Sequence, residues 1–380
     1  MMQQKLLELT DDLFEVEKIM AMAAGYIEHY DEWLSEIQLE AVEKHVETKL
    51  VNLDTGGTLK KFRLHGYIDK FVTHNGKRLI VDHKTTGEDI SDPGGRYWKR
   101  LECDPQSTTY LLLCLSEGYD VGGIVWDVVQ KPRIKPTTLN RAQVLELEVE
   151  RTYCDSFFGG TDLFLDELAP PCGTYANGEP KREESPLLYG ARVRKYVREH
   201  AKEMFQIRKI NRTDEDVYDL NQSVRSVSRM IRWCELNGEW AQNLRSCFAY
   251  NHPCEYFDVC HGCELLESPS FVKVERDRWR LSHSAIGDFF TCPRKYYHRQ
   301  ICGYRPVTVE SEALRTGSLW HAAMDCIYRE LVEPHEGGCD EPIERKDQDP
   351  EEAGNVLSAR PAGDWEDGAG SAVPGPALCD

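Results

Sequence analysis

Two acidic residues and a lysine lie at matching positions of two predicted strands. Residues 65–71 (HGYIDKF) and 79–87 (LIVDHKTTG) are rich in apolar and β-branched types, and an Asn-Gly pair between them favours a hairpin turn. Asp82 and Lys84 are two residues apart, so their side chains share one face of a strand, and Asp69 comes from the partner strand. Two carboxylates can hold a hard divalent cation, and a lysine beside them can orient or deprotonate a water. The pattern predicts metal-assisted hydrolysis of a phosphodiester.

A surface hairpin with scattered charges is the structural alternative, because charged residues usually face water. The apolar run over 79–81 directly before Asp82 favours a strand that comes from a core. The stretch ends with Thr85-Thr86-Gly87, where the strand would leave the sheet and side chains would converge. We favour the catalytic interpretation, and the structural alternative stays open on these residues alone.

The composition is that of a globular chain with an acidic excess. Its 380 residues suffice for one large domain or two smaller ones. No apolar run reaches membrane-spanning length, and the first residues lack the apolar core of a signal peptide, which together predict a cytoplasmic protein. The formal net charge is −19, but about half of the excess lies beyond Leu331. The predicted acidic tail, 333–380, has too few apolar residues to fold, so we expect it to be disordered.

One segment of the chain is basic although the net charge of the whole chain is negative. Residues 181–209 interleave cations with Tyr189, Tyr196 and Phe205, a pattern that suits contact with a nucleic-acid backbone. A solvated basic helix face explains the segment equally well, and both interpretations stay open. The cations predicted to contact DNA are Arg192, Arg194, Lys195, Arg198 and Lys202.

The order of predicted elements describes a mixed α/β core. The expected helices cover about 6–47, 106–117, 187–209, 213–237 and 283–299. The expected strands cover about 49–53, 61–73, 78–84, 122–129 and 144–150.

Cysteines cluster in one short stretch. Cys247, Cys254, Cys260 and Cys263 lie within a segment that contains Pro and Asn, and four thiolates this close can bind zinc or an iron–sulfur cluster. The spacing is not a pair of C-x2-C knuckles, which disfavours a zinc ribbon. Cys292, followed by a proline, is an alternative fourth ligand. Where disulfides are disfavoured, such a cluster predicts metal or iron–sulfur binding.

With these residues identified, the chain resembles the RecB-like exonuclease branch of the PD-(D/E)XK nuclease superfamily. The resemblance is closest to members with a four-cysteine iron–sulfur cluster, as in CRISPR-associated and phage RecB-like nucleases. Residues 66–69 (GYID) resemble the G-[IY]-x-D strand, and 82–84 (DHK) the [DE]-x-K strand. Residues 106–110 (QSTTY) resemble the Q-x-x-x-Y helix, 317–321 (GSLWH) the G-x-x-x-H motif, and 282–297 the segment that usually opens such domains.

The resemblance implies a restriction-endonuclease-like core, in which a central mixed sheet is flanked by helices, with helical additions and a Cys-rich iron–sulfur segment. It implies a Mg²⁺- or Mn²⁺-dependent deoxyribonuclease, acting as an exonuclease on single-stranded DNA or DNA ends in repair, recombination or phage DNA processing. It implies a bacterial or phage-infected cell and a helicase or recombination protein as a further partner. The implied catalytic residues are Asp69, Asp82, Lys84, Gln106 and Tyr110. The implied metal ligands are Asp69, Asp82, His321 and the main-chain carbonyl of His83, and the thiolates of a [4Fe–4S] cluster come from Cys247, Cys254, Cys260 and either Cys263 or Cys292.

One departure concerns the order of the motifs, because the segments that open the family's domain come last in this chain. A circularly permuted domain, a fragment of two tandem modules, and exchange with a partner chain are the three explanations. Displacement of the first motif also allows a second function, a DNA-binding or assembly module that retains the nuclease fold without turnover. The predicted division is a nuclease core with a helical insertion over 1–240, a Cys-rich segment over 241–268, a permuted or truncated segment over 269–332, and the tail.

Overall fold

The chain is described by a computed structural model over residues 1–160, 163–249, 252–275, 277–307 and 312–331. The predicted disordered tail lies outside these residues. The α-helices are α1 Met2–Leu9, α2 Leu13–His29, α3 Asp31–Glu36, α4 Arg96–Glu102, α5 Pro105–Ser116, α6 Arg141–Val149, α7 Leu165–Leu168, α8 Pro186–Met204, α9 Asp214–Asn237, α10 Phe257–Cys260, α11 His283–Thr291, α12 Pro293–Tyr296 and α13 Glu312–Leu331. The strands are β1 Ile37–Val51, β2 Thr58–His74, β3 Lys77–Thr86, β4 Ile124–Gln130, β5 Thr152–Tyr153, β6 Ser156–Phe157, β7 Pro171–Thr174, β8 Pro180–Arg182, β9 Phe205–Ile210, β10 Phe248–Ala249, β11 His252–Pro253, β12 Phe271–Lys273, β13 Arg280–Leu281 and β14 Tyr304–Pro306.

Six of these strands form one mixed sheet in the order β1-β2-β3-β4-β9, with β13 beside β2. The strands β1, β2 and β3 pair antiparallel, β3 runs parallel to β4, and β9 returns antiparallel to β4. The β2–β3 turn contains Asn75 and Gly76 with φ of 50° and 70°, as the Asn-Gly pair predicts for a tight hairpin. The predicted mixed α/β core with a central sheet flanked by helices is confirmed.

Both faces of the sheet are covered at β3 and β4, and six of the seven residues of β4 are buried. One face packs Phe71 and Ile80 against α5, α9 and α11. The other face packs Val72, Val81 and Val125 against α2, α8 and α13. A smaller cluster around Leu147 lies under α6 and the start of α8.

The predicted helix over 6–47 is wrong beyond Glu36. From Ile37 onward the chain is strand β1, which pairs with β2 from Ile37↔His74 to Val51↔Thr58. Its apolar residues alternate with polar ones, so the long hairpin buries one face and keeps the other in contact with water. The expected strand over 49–53 is only the end of β1.

Two further expectations need correction. Residues 144–150 belong to α6 rather than to a strand, because Asn140 and Gln143 form a capping box that starts a helix. The expected helix over 187–209 ends at Met204, and β9 follows, because it completes the edge of the sheet beside β4. The remaining predicted strands and helices of the core match β2, β3, β4, α5 and α9 to within a few residues.

The C-terminal segment folds onto the sheet of its own chain. The strand β13 pairs in parallel with β2, and α13 packs against α2 and β3. Buried Glu15 of α2 accepts hydrogen bonds from Arg315 and from Thr316, the latter at 2.6 Å. A permuted domain would have this arrangement, and that interpretation stays a prediction.

Candidate active site

The two acidic residues and the lysine meet where β2 and β3 separate. Pairing between the strands ends at Lys70↔Val81, so Asp69 and Asp82 lie at the mouth of the opening. Asp82 Oδ2 lies 2.6 Å from Lys84 Nζ, and Asp69 Oδ2 accepts a hydrogen bond from the His83 amide at 3.0 Å. The Asp82 side chain is almost fully buried, whereas that of Asp69 is 20% exposed.

Burial and charge control the protonation of this cluster. Burial and the charge of Asp69 raise the pKa of Asp82 to about 6, although Lys84 acts in the opposite direction. Burial alone would lower the pKa of Lys84, but its contact with Asp82 and the charges of Asp69 and Asp104 outweigh burial and raise it. Lys84 is therefore a cation at neutral pH, which suits it to stabilise charge on a phosphate rather than to remove a proton.

The helix α5 places a polar pair against the lysine. Gln106 Oε1 accepts a hydrogen bond from Lys84 Nζ at 2.8 Å, and Gln106 Nε2 donates to the Tyr110 hydroxyl at 2.7 Å. Asp104 caps the helix by accepting a hydrogen bond from the Gln106 amide. A Cβ at Gly66 would meet Tyr110 and Leu113 side-chain atoms at 3.2 Å, so this glycine lets α5 approach β2 closely.

His321 of α13 joins the site from the other end of the chain. Its Nδ1 lies 3.6 Å from Asp69 Oδ2, and its side chain is 42% exposed. Burial and the nearby Lys70 and Lys84 lower the pKa of His321, although Asp69 acts in the opposite direction. A neutral imidazole beside a carboxylate is a competent metal ligand.

The His83 side chain points away from this cluster. Its Nδ1 lies 2.9 Å from Asp127 Oδ2, which also accepts a 2.5 Å hydrogen bond from the Tyr26 hydroxyl. Both His83 and Asp127 are buried, and the Tyr328 ring lies 5.3 Å from the His83 ring. The imidazole therefore belongs to a buried polar network under the site, and only the main chain of His83 faces the carboxylates.

Sequence reasoning missed two neighbours of the lysine. His283 Nε2 of α11 lies 3.5 Å from Asp104 Oδ1, and the charge of Lys84 contributes to lowering the pKa of His283, after burial. The Asp-Pro pair before Gln106 was a visible signal for Asp104, because it marks the helix start. His283 lies in the segment 282–297 that resembles the opening of the family's domains, but its place beside Asp104 depends on the packing of α11 beside α5.

The carboxylates fit a divalent cation that is also coordinated by water and substrate. Among the described residues, no three His, Cys, Asp or Glu side chains form a group ready to hold a metal ion. Mg²⁺ usually takes only one or two protein carboxylates and fills its shell with water and phosphate oxygens. Burial, and then the charge of Asp69, raise the pKa of Asp82, and a cation bound there would favour the ionised carboxylate.

Four of the five candidate cluster cysteines line one small cavity. These are Cys247, Cys254, Cys260 and Cys292, while Cys263 is exposed and outside the lining. Burial raises the pKa of Cys260, and the nearby Cys292 and Cys247 raise it further. Iron–sulfur binding by these cysteines stays a prediction.

The predicted DNA-contacting cations of α8 are partly held by carboxylates of the same chain. Arg192 Nε donates to Glu184 at 2.6 Å, Lys195 lies 3.1 Å from Asp155, and Arg198 lies 3.6 Å from Glu28. The charge of Arg194 acts on Glu17, and Lys202 is exposed. Their contact with DNA stays a prediction.

None of the described helices has the length and apolar character needed to cross a membrane. In comparisons with known proteins, residues 3–261 and 280–372 match the PD-(D/E)XK nuclease superfamily. No curated protein and no solved structure gives a significant match.

Proposed function

The chain belongs to the PD-(D/E)XK nuclease superfamily, whose members are typically metal-dependent nucleases, and we propose that it is a Mg²⁺- or Mn²⁺-dependent deoxyribonuclease. The observation that carries this proposal is the meeting of Asp69, Asp82, Lys84 and His321 at one opening of the sheet. These residue types supply hard oxygen ligands, an imidazole and a fixed positive charge, which together suit phosphodiester hydrolysis.

Each residue has a distinct task in the proposed reaction. Asp69 and Asp82, with His321 and the main-chain carbonyl of His83, would hold the cation. When bound, that cation supplies polarisation of the scissile phosphate and acidification of the attacking water. Lys84, held by Asp82 and Gln106, would stabilise the charge that develops on the phosphate oxygens. Gln106 and Tyr110 form a hydrogen-bonded pair beside the lysine that would position the DNA strand.

The finer proposal is an exonuclease of the RecB-like branch, acting on single-stranded DNA or DNA ends. Its support is the Q-x-x-x-Y helix in direct contact with Lys84 and the G-x-x-x-H helix in contact with Asp69. Such an enzyme would work in DNA repair, recombination or phage DNA processing, together with a helicase or recombination protein.

We also propose a [4Fe–4S] cluster held by Cys247, Cys254, Cys260 and Cys292. The support is their shared cavity, together with the exposure of Cys263 outside it. Its role would be structural, because it would join the loop that follows α9 to the end of α11, which packs beside α5.

The binding-module alternative depended on the displaced G-x-x-x-H motif. With His321 Nδ1 at 3.6 Å from Asp69, the geometry does not favour that alternative.

The test is cleavage of end-labelled single-stranded DNA with Mg²⁺ or Mn²⁺ by the full chain and by Lys84→Ala. We expect metal-dependent cleavage by the wild type and a loss of at least about 100-fold in Lys84→Ala, because removal of one charge-stabilising group costs on the order of that factor. Lys273→Ala, which removes an exposed lysine of β12 that lies over the Tyr304 ring, is the matched control and should cleave normally. Equal cleavage by wild type and Lys84→Ala would refute the proposal.

A further inference from the structure

An alternating row of basic and aromatic side chains runs along β2 toward Asp69. Lys61, Arg63 and Tyr67 are exposed and His65 is half-buried, while the residues between them face the core or, as Gly66, touch α5. Tyr67 is 60% exposed, which is unusual for a large aromatic side chain in the middle of a strand. Alternate residues of a strand are about 7 Å apart, which is comparable to the phosphate spacing of an extended single strand.

Aromatic rings cluster at one end of this row. His45 of β1 pairs with Tyr67, with ring centroids 4.8 Å apart, and its Nε2 lies 3.4 Å from His65 Nδ1. At the other end of the row, Lys61 lies over the Trp279 ring at 4.8 Å.

The row ends at an opening in the sheet. On one edge of β2, β13 pairs at Arg63 and Leu64, and β3 pairs from Lys70 onward. Between these two pairings, no strand of the described residues pairs with this edge. Tyr67 and Asp69 both lie in this gap, so a ligand on the row reaches the carboxylates without crossing a strand.

The charge of the row favours an anionic ligand. Arg63 and Arg280 share Glu47, at 2.7 and 2.5 Å, and Asp277 lies 3.7 Å from Arg280. Lys49, the β1 partner of Arg63, and Lys61 are exposed and make no ion pair within the described residues. The four cations Lys49, Lys61, Arg63 and Arg280 therefore outnumber the two carboxylates paired with them, Glu47 and Asp277. Tyr67 adds an exposed aromatic face to the same surface.

From this arrangement we infer that the row Lys61, Arg63, His65 and Tyr67, with His45 and Lys49 of β1, guides a single-stranded nucleic acid into the metal site. Tyr67 stacks a base next to the scissile phosphate, and Arg63, Lys61 and Lys49 contact the phosphates that follow. A single strand is the ligand because its unpaired bases present faces to stack on an aromatic side chain, and stacking needs no particular sequence. The inference rests on the proposed nuclease function and names the path of its substrate.

The test is fluorescence anisotropy of a labelled oligothymidylate with the full-length chain in EDTA, where no cleavage occurs. We expect Tyr67→Ala to weaken binding about tenfold, since stacking of one base on an aromatic side chain has an effect of that order. Tyr67→Trp should bind as the wild type does, because it keeps the aromatic face. Arg63→Glu should reduce the slope of log affinity against log salt concentration by about 1 for each phosphate that the variant no longer neutralises.

The matched controls are an exposed aromatic residue and an exposed, ion-paired arginine elsewhere. Phe157→Ala removes a ring that is 71% exposed, and Arg141→Glu reverses a cation paired with Glu179; neither should change binding. Should Tyr67→Ala fold poorly by circular dichroism, Tyr67→Leu and Arg63→Glu carry the comparison. Wild-type affinity in the Tyr67 and Arg63 variants, or no binding by the wild type, would overturn the inference.

Cleavage assays separate this inference from the proposed function. If the wild type cleaves and Tyr67→Ala cleaves with an unchanged KM, the inferred path of the substrate is wrong, but the proposed nuclease function is retained. If the wild type binds the oligonucleotide through the row but does not cleave it with either metal, the nuclease proposal fails, but the row is retained as a binding surface for single-stranded nucleic acid.

Discussion

Single residues in this site depend on their neighbours for their charge. Asp82 is buried near Asp69, and the two carboxylates raise the pKa of Lys84, which therefore stays a cation. The spacing of Asp82 and Lys84 could be interpreted from sequence because strand alternation is local. The contact between Asp104 and His283 could not be predicted from sequence spacing, because it depends on how α5 and α11 pack.

Metal binding should weaken as the pH falls through 6. The pKa of Asp82, raised by burial and by Asp69 to about 6, lies above the ordinary aspartate value, so below pH 6 a proton competes with the metal for this carboxylate. Isothermal titration with Mn²⁺ should show about tenfold weaker binding at pH 5 than at pH 7, in proportion to the ionised fraction. Asp82→Asn should bind weakly at both pH values. Equal wild-type affinity at pH 5 and pH 7 would show that Asp82 is not a ligand.

Paired elements hold the two halves of the site together. The hairpin of β2 and β3 carries the carboxylates, and α13 carries His321, so the docking of α13 decides whether the site is complete. Lys70 of β2, which is almost fully buried, lies 3.2 Å from Asp325, one turn beyond His321 on α13. This ion pair therefore joins the residue after Asp69 to the helix of His321.

Removing Asp325 should destabilise the protein strongly. Asp325→Ala leaves the buried Lys70 ammonium without its partner, and breaking a buried pair in this way costs roughly 3–5 kcal/mol. Lys5 is the matched control, since it contacts the same carboxylate at 3.7 Å but is 42% exposed, and Lys5→Ala should cost at most about 1 kcal/mol. Urea unfolding of the three proteins measures both values. Similar losses in the two variants would mean that the buried pair does not secure α13.

The buried network under β3 should make stability depend on pH. Burial raises the pKa of Asp127 to about 7, although Tyr26 and Lys70 oppose the shift. The folded chain therefore holds a proton there that the unfolded chain releases above about pH 4, so this contribution is present at low pH and is lost as the pH rises to 7.

The Asp127→Asn variant tests whether this contribution to stability falls as the pH rises. Between pH 4 and 7, the free energy of unfolding of the wild type should fall relative to that of Asp127→Asn by about 1.4 kcal/mol for each pH unit. Thermal or urea unfolding in EDTA at several pH values measures the difference. A difference that stays constant or changes in the opposite direction would show that Asp127 is ionised in the folded protein.

The sequence allowed the hairpin and α5 to be predicted more reliably than β1 or α6. The residues of β2 and β3 alternate around an Asn-Gly turn, which is a strong local signal. β1 follows α3 directly and is a strand because it pairs with β2, and such pairing is not visible in the local sequence. The capping residues Asn140 and Gln143 did mark the start of α6, but the apolar alternation after them suggested a strand.

Across the whole molecule, the last part of the chain completes structures that the first part begins. The strand β13 extends the sheet beside β2, α13 supplies His321, and Cys292 joins the three cysteines near the end of α9. The sequence carried these motifs but not their position in space, because contacts between distant segments depend on the topology of the fold.

The cysteine cavity predicts different results for Cys292 and Cys263, the two candidates for the fourth ligand. Cys292→Ser should lose bound iron and the associated visible absorbance and should lower the Tm by several degrees, because it removes a ligand of a cluster that would join two segments. Cys263→Ser should keep both, since Cys263 is exposed and outside the cavity. Iron analysis after anaerobic purification makes the comparison. Equal iron content in both variants, or none in the wild type, would contradict the proposed cluster.

The central claim is that one metal-dependent nuclease site is assembled from the N-terminal hairpin and the C-terminal helix. Single-turnover cleavage of end-labelled single-stranded DNA with Mn²⁺, by the wild type and by His321→Ala, tests it most directly. The geometry, with His321 Nδ1 at 3.6 Å from Asp69, predicts that His321→Ala folds with an unchanged Tm but cleaves at least about tenfold more slowly and binds Mn²⁺ more weakly. Cleavage by His321→Ala at the wild-type rate would contradict the claim.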